Sequence, residues 1–427
     1  MRIRITGGRI IDPANGVDAV LDLYIAQGHV QAVGEAPPGF EPQKTLRVEG
    51  RIVCPGIVDL CTRLREPGYE HKATIASETR AAAKAGITTL CCPPDTDPVV
   101  DTPAVVELIH RRAEQSGQAH VVCLGALTAG LQGEQLSEMG ALKRIGCVGV
   151  TNALSPIANA EVLRRAMEYA VTCGLTVFLH PEDYWLHRDA GVHEGPVSTR
   201  LGLPAISETT ETVALARDLL LIEQTGARAH FCRLSTAKAV GMVVEAKRRG
   251  LPVSADVSAH HLYLSEMDVI GFNSLCHVRP PLRGLRDREG LREGLAQGVI
   301  TAITSDHQPH DQDAKDAPFG ATEPGISGLE TLLPLTLNLV EQGVMGLSAA
   351  IVALTCQPAR ILGLQTGHLG VGAPADVCIF DPEAHWRLTE DDLWSAGKNT
   401  PFLGWEFKGR ATHTLLGGRL VYEAGAA

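Results

Sequence analysis

The stretch Gly56-Ile57-Val58-Asp59-Leu60-Cys61-Thr62-Arg63-Leu64-Arg65-Glu66-Pro67-Gly68 decides how this chain is read. It is an apolar run ending in an Arg-Glu-Pro-Gly turn, so it predicts a buried strand delivering side chains to a loop. Strand side chains alternate between faces, which puts Asp59, Cys61 and Arg63 on one face.

Working outward, apolar runs and helical patterns alternate from about Ile52 to Gly363. Strands are expected at Ile57–Leu60, Thr88–Cys92, Val121–Leu124, Cys147–Val150, Thr176–Leu179, Arg228–Phe231, Pro252–Asp256 and Val299–Thr304. The intervening stretches read as helices, for example the alanine-rich Thr74–Ala85 and Glu161–Cys173. Strands each followed by a helix imply an α/β fold of the barrel type over 55–364; periodicity fixes the strand count to within one or two, and the eight of a (β/α)8 barrel rest partly on the family resemblance given below. Both ends of the chain instead alternate as short strands: Arg2–Thr6, Arg9–Ile11, Leu21–Ala26 and His29–Val33, then Ala375–Pro382 and Thr412–Tyr422. Segments 1–54 and 365–427 are therefore expected to pair into one small β-sandwich.

Composition narrows the function. A chain of 427 residues with 44% hydrophobic residues suits a large barrel plus a smaller module. The net charge of −11 argues against a nucleic-acid binder or a protein held on anionic lipid. No apolar run is long enough to span a membrane, and no basic, apolar leader opens the chain, so the cytoplasm is the expected place. The eleven cysteines are scattered, apart from Cys91-Cys92, and show no zinc-ribbon spacing; they read as reduced, mostly core thiols. There is no P-loop, phosphate-cradling glycine loop or serine nucleophile elbow.

Several motifs resemble those of the cyclic amidohydrolases, and of dihydroorotase most closely. They include Leu64-Arg65-Glu66-Pro67-Gly68, Phe178-Leu179-His180-Pro181-Glu182-Asp183 and Asp256-Val257-Ser258-Ala259-His260-His261-Leu262. Pro280-Pro281-Leu282-Arg283, Thr304-Ser305-Asp306-His307-Gln308-Pro309-His310 and Asn399-Thr400-Pro401-Phe402-Leu403-Gly404 extend the likeness over nearly the whole chain. The resemblance implies a barrel whose mouth holds one or two zinc ions, which generate hydroxide for opening or closing a cyclic amide.

Taken ligand by ligand, that metal site is not kept. The paired histidines of the first strand are Cys61 and Arg63 here, and the bridging carboxylate position falls at Asn152. His180 remains, the histidine of a His-x-Ser-Thr signature is Arg233, and the final-strand aspartate remains as Asp306. A guanidinium cannot ligate a cation, because it stays positive and has no acceptor. Zinc is therefore expected to be lost and Asp306 to be vestigial. Of the family's substrate contacts Arg65 is kept and His261 holds a nearby position, while two asparagines are replaced by Asp95 and Arg279.

Plainer readings stand beside these. Cys61 reads as a small buried hydrophobe, His180 as a hydrogen-bonded core histidine, and His260-His261 as packing and donating. Glu182-Asp183 reads as a solvated loop pair or helix cap, and Asp306 and His307 are expected to point to opposite faces. An unpaired buried charge is costly, so Arg63 or Arg233 is expected to pair with Asp306 or Asp59.

The resemblance then implies a non-catalytic homologue kept for its shape. Its expected partner is the aspartate carbamoyltransferase catalytic chain of pyrimidine synthesis, and the barrel family's habit implies a homodimer. Two other readings compete. One is an active cyclic amidohydrolase with a mononuclear site built from Cys61, His180 and Asp306. The other is a sensor of acidic pyrimidines acting through Arg65, Arg63 or Arg279.

Overall fold

A computed structural model describes residues 1–187 and 190–425. Its centre is a parallel barrel sheet of the strands Ile57–Asp59, Ile87–Cys92, His120–Ala126, Gly149–Thr151, Thr176–Leu179, Ala229–Phe231, Val253–Ser258 and Ala302–Thr304, paired in that order. All lie where they are expected, with ends shifted by up to three residues. The largest shift is in the last strand: Val299 and Ile300 are still tied back to the preceding helix, both donating to the Gly294 carbonyl.

The first and last strands meet through the opening stretch. Arg63 N donates to His307 O at 2.9 Å and His307 N donates to Cys61 O at 3.1 Å, while Thr62 N donates to Cys91 O on the other side. Asp59, wholly buried, locks this seam by accepting from the hydroxyls of Thr62, Thr304 and Ser305 and from Ser305 N. Close approach here requires Gly56, since a Cβ at that position would collide with the Thr88 side chain.

Helices wrap the sheet and bury one face against it. Ile75–Lys84 starts at Thr74, whose hydroxyl accepts from Ser77 N, and Ala160–Cys173 starts at Asn159, which accepts from Glu161 N. One apolar core runs between strands and helices.

The chain termini form two further sheets. One contains His29–Val33, Leu23–Ala26, Arg2–Thr6 and Lys44–Arg47; the other runs Arg419–Glu423, Glu406–Leu416, Val377–Arg387, Ile52–Pro55, Arg9–Asp12 and Val17–Val20. Val53 pairs with Ile379, so the two ends share a sheet, and Ile3, Ile25, Val53, Ile379 and Leu415 pack in one core between the layers. The β-rich stretch Thr412–Tyr422 is a hairpin. Gly417 and Gly418 both take positive φ and turn the chain back on itself.

Candidate functional site at the barrel mouth

The last residues of the strands converge at the C-terminal face, where barrels of this kind place their chemistry. Three of the converging residues hold a left-handed backbone unusual for side-chain-bearing residues: Arg65 (φ 62°), Arg233 (φ 53°) and Asp306 (φ 44°). Their side chains, with Cys61 and Arg63, form the centre of the mouth. Each of Cys61, Arg63, Arg233 and Asp306 is at most 5% exposed.

Both guanidiniums face Asp306. Arg63 Nη1 is 3.5 Å and Arg233 Nε 3.6 Å from Asp306 Oδ1. The Cys61 thiol completes the group: it accepts from Arg233 Nη1 at 3.0 Å and lies 3.5 Å from Asp306 Oδ1. Arg63 Nε also donates to Asp95 at 2.7 Å. Burial disfavours the charge of both arginines. Asp95, Cys61 and Asp306 around Arg63, and Asp306 and the thiols around Arg233, outweigh it and raise both above the ordinary arginine value. Burial pushes the Cys61 thiol up to about 12, so it sits here as S–H and not as thiolate. Cys61 is thus more than the small hydrophobe its sequence suggests: it is buried, but as a hydrogen-bonding thiol.

His180 corrects another expectation. Neither ring nitrogen makes a hydrogen bond; Nε2 lies 3.4 Å from Glu182 Oε2, an electrostatic contact only. Burial lowers its pKa, Glu182 opposes this, and Arg233 lowers it further. Glu182 is not solvated either. It is 5% exposed and accepts from Arg279 Nε at 2.7 Å. Its neighbour Asp183 does cap, accepting from Trp185 N and Leu186 N at the start of Tyr184–His187. Asn152, at the bridging-carboxylate position, is built into a turn: it accepts from Thr128 Oγ1 and donates to Leu131 O and Ser155 O.

The four expected substrate contacts all have internal partners. Arg65 donates to Pro309 O at 3.0 Å and reaches His310 at 3.1 Å, and burial with nearby Arg63 lowers its pKa to about 10. Asp95 holds Arg63, and Arg279 holds Glu182. His261 Nε2 lies 3.1 Å from Pro280 O, so that nitrogen donates and Nδ1 accepts from Ser258 Oγ at 2.6 Å. His260 packs beside it; burial, then Arg233, drives its pKa down to about 3.

Asp306 and His307 do point apart. His307 Nδ1 accepts from Gly328 N, so Nε2 carries the proton and donates to Glu78 at 2.7 Å. Glu78 also accepts from Ser395 Oγ and Ala396 N, tying the mouth to the C-terminal segment. No local sequence signal marks this network, because Glu78 lies on the helix Ile75–Lys84, far along the chain from both partners.

The donor set does not suit a dication. Two permanent cations occupy ligand positions, the thiol is protonated, and among the described residues the ligand atoms of Cys61, His180 and Asp306 do not gather within 4.8 Å of one another. The residues that do gather, His230, Cys232 and Asp256, are already satisfied. His230 is bound at Nδ1 by Ser254 and at Nε2 by Asp256, whose other oxygen accepts from Arg233 N.

The fold as a whole matches solved hydantoinase structures. The structure of L-hydantoinase (dihydropyrimidinase) from Arthrobacter aurescens superposes with a TM-score of 0.88 over 100% of this chain and 97% of its own, at 22% identity. A D-hydantoinase from Thermus sp. gives 0.84 over 99% and 96%, at 23% identity. The likeness at this identity defines the fold class, a (β/α)8 barrel with a sandwich of both termini.

Sequence comparison defines the family. Residues 50–239 match the family model described as dihydro-orotase-like. A dihydroorotase-like protein of Pseudomonas aeruginosa is 51% identical over 99% of this chain and 100% of its own length, and one of Pseudomonas putida is 48% identical over 99% of each. A protein of Geobacter sp. (strain M21) named dihydroorotase is 43% identical over 100% of both chains. The chain belongs to the dihydroorotase-like family.

Proposed function

We propose that this chain is a non-catalytic dihydroorotase homologue that serves as a structural and assembly subunit for aspartate carbamoyltransferase in pyrimidine synthesis. One observation carries the reading. Arg63 and Arg233 lie against Asp306 and Cys61, where a zinc centre would need neutral imidazoles and an open position for water. Engagement of Arg65, Asp95, Arg279 and His261 by internal partners supports it, because those groups are not free to hold a small acidic substrate. A barrel with an intact core and seam, but with its charges paired inward, suits a protein selected for its outer surface. The carbamoyltransferase and a homodimeric barrel follow from the family resemblance, and a cytoplasmic setting from the sequence, not from this site.

The test is assembly. Mixed with an aspartate carbamoyltransferase catalytic chain from the same organism, this chain is expected to co-elute in size exclusion at a fixed ratio, and the carbamoyltransferase to be more heat-stable in the mixture. Separate elution with unchanged stability overturns the assembly role.

A second reading, an active cyclic amidohydrolase with a remodelled site, is favoured by the names of relatives. Proteins called dihydroorotase are 42–45% identical to this chain over nearly its full length. Stoichiometric zinc that survives dialysis and is released by Asp306→Asn would favour that reading.

A further inference from the structure

A cavity lies at the opposite end of the barrel from the mouth. It occupies about 580 Å³ between the N-terminal ends of the second and third barrel strands, the end of the helix Pro103–Ser116, and the sandwich segments that follow Leu364 and precede Gly417. That volume falls in the range of small-molecule sites, and junctions between structural units are where such sites concentrate. Its walls are mainly apolar, with Ala113, Val121, Val122, Leu364 and Leu416 facing the space.

The carboxylates lining it are Asp376 and Glu114, and His110 and His120 line it with them. Asp376, 3% exposed, is fixed from behind by Gly417 N at 2.8 Å and reached by His120 Nε2 at 3.3 Å. Glu114 adds a second carboxylate from the last turn of the helix, and the helix end adds its own partial negative charge. That last turn contains no basic residue, and no lysine or arginine lines the cavity. Arg419, just outside, donates to the Gly117 carbonyl. A mainly apolar cleft lined by two carboxylates, with no lysine or arginine in its lining and with the Asp376 carboxylate held by His120, Thr366 and the Gly417 amide, is complementary to an apolar body carrying one positive charge.

We propose that this cavity is a second ligand site, which takes an organic monocation with a flat apolar body such as an aromatic amidinium or amine. The site is remote from Asp306 and independent of whether the mouth is catalytic.

Benzamidine, with benzoate as the isosteric anion, tests it on the full-length protein by calorimetry and ligand-observed NMR. Benzamidine is expected to bind saturably and benzoate at least tenfold more weakly. Glu114→Lys, at an exposed position, is expected to weaken benzamidine at least tenfold, and Ala113→Phe to abolish binding by filling the chamber. If the melting curve shows that Ala113→Phe does not fold, Glu114→Lys alone decides. No saturable benzamidine binding, benzoate binding equally well, or an unchanged affinity in Glu114→Lys overturns the proposal.

Discussion

Asp59 and Asp306 stand on adjacent strands, both essentially excluded from water, and the chain treats them in opposite ways. Asp59 is surrounded by hydroxyl and amide donors from Thr62, Thr304 and Ser305, with contacts of 2.7 Å and 2.8 Å to Thr304 Oγ1 and Ser305 N. Asp306 meets two guanidiniums, a thiol and the Gln308 amide, and these contacts all run 3.4–3.6 Å. The first carboxylate is a structural lock with its hydrogen bonds complete. The second is a charge balanced by opposite charges at looser range, with Arg63 Nη2 and Arg233 Nε making no hydrogen bond. The seam is thus held by close hydrogen bonds and the mouth by looser charge pairing.

The sharpest way to break this contrast is to strip the cations from Asp306. Arg63→Met with Arg233→Met leaves a buried carboxylate uncompensated and is expected to cost about 3–5 kcal/mol in urea denaturation. Adding Asp306→Asn, a residue that tolerates the left-handed backbone there, should recover most of that loss, since a buried ion cluster replaced by neutral groups is often nearly neutral in stability. If the triple variant is no more stable than the double, the charges are not what hold the mouth together.

Breaking the seam comes next. Asp59→Ala orphans the donors of Thr62, Thr304 and Ser305 and is expected to cost about 2–3 kcal/mol, less than the double because three of those donors are hydroxyls that can turn to other acceptors. It should also raise hydrogen exchange at the Arg63 and His307 amides that close the barrel.

Acid should loosen the mouth before neutral pH does. Burial first, with Arg233, Lys315 and Arg65 nearby, keeps several rings neutral: it lowers His260 to about 3, His277 to about 4 and His310 to about 2. An unfolded chain protonates these rings as pH falls below about 6.5, while the folded chain does not, so the unfolded state binds more protons. Stability is therefore expected to fall from about pH 6.5 towards pH 4. A flat profile over that window would mean the rings gain protons in the folded state. The smallest effect is expected from Cys61→Ala, which removes an acceptor from Arg233 but no charge, at about 1 kcal/mol.

Much of the fold was legible because the barrel strands are short apolar runs separated by turn residues and helical stretches. The hairpin at Gly417-Gly418 lies in a stretch read from the sequence only as β-rich, because an apolar run gives no sign of reversing unless its glycines are weighed as a turn. At the site, the losses at Cys61, Arg63 and Arg233 were visible because each replaces a residue type the chemistry requires. The compensations were not. Arg63 finds Asp95, Arg279 finds Glu182 and His307 finds Glu78 across the mouth, and no local spacing encodes such pairings. His180 was misread for the same reason: whether a buried ring has a partner depends on what neighbouring strands bring to it.

The central claim is that charge pairing around Asp306 has replaced a metal centre, and a dihydroorotase assay tests it most directly. With the purified chain in excess zinc, interconversion of carbamoyl aspartate and dihydroorotate is expected to stay at background in both directions, with Asp306→Asn indistinguishable from the parent. Zinc-dependent turnover that Asp306→Asn abolishes would contradict the account.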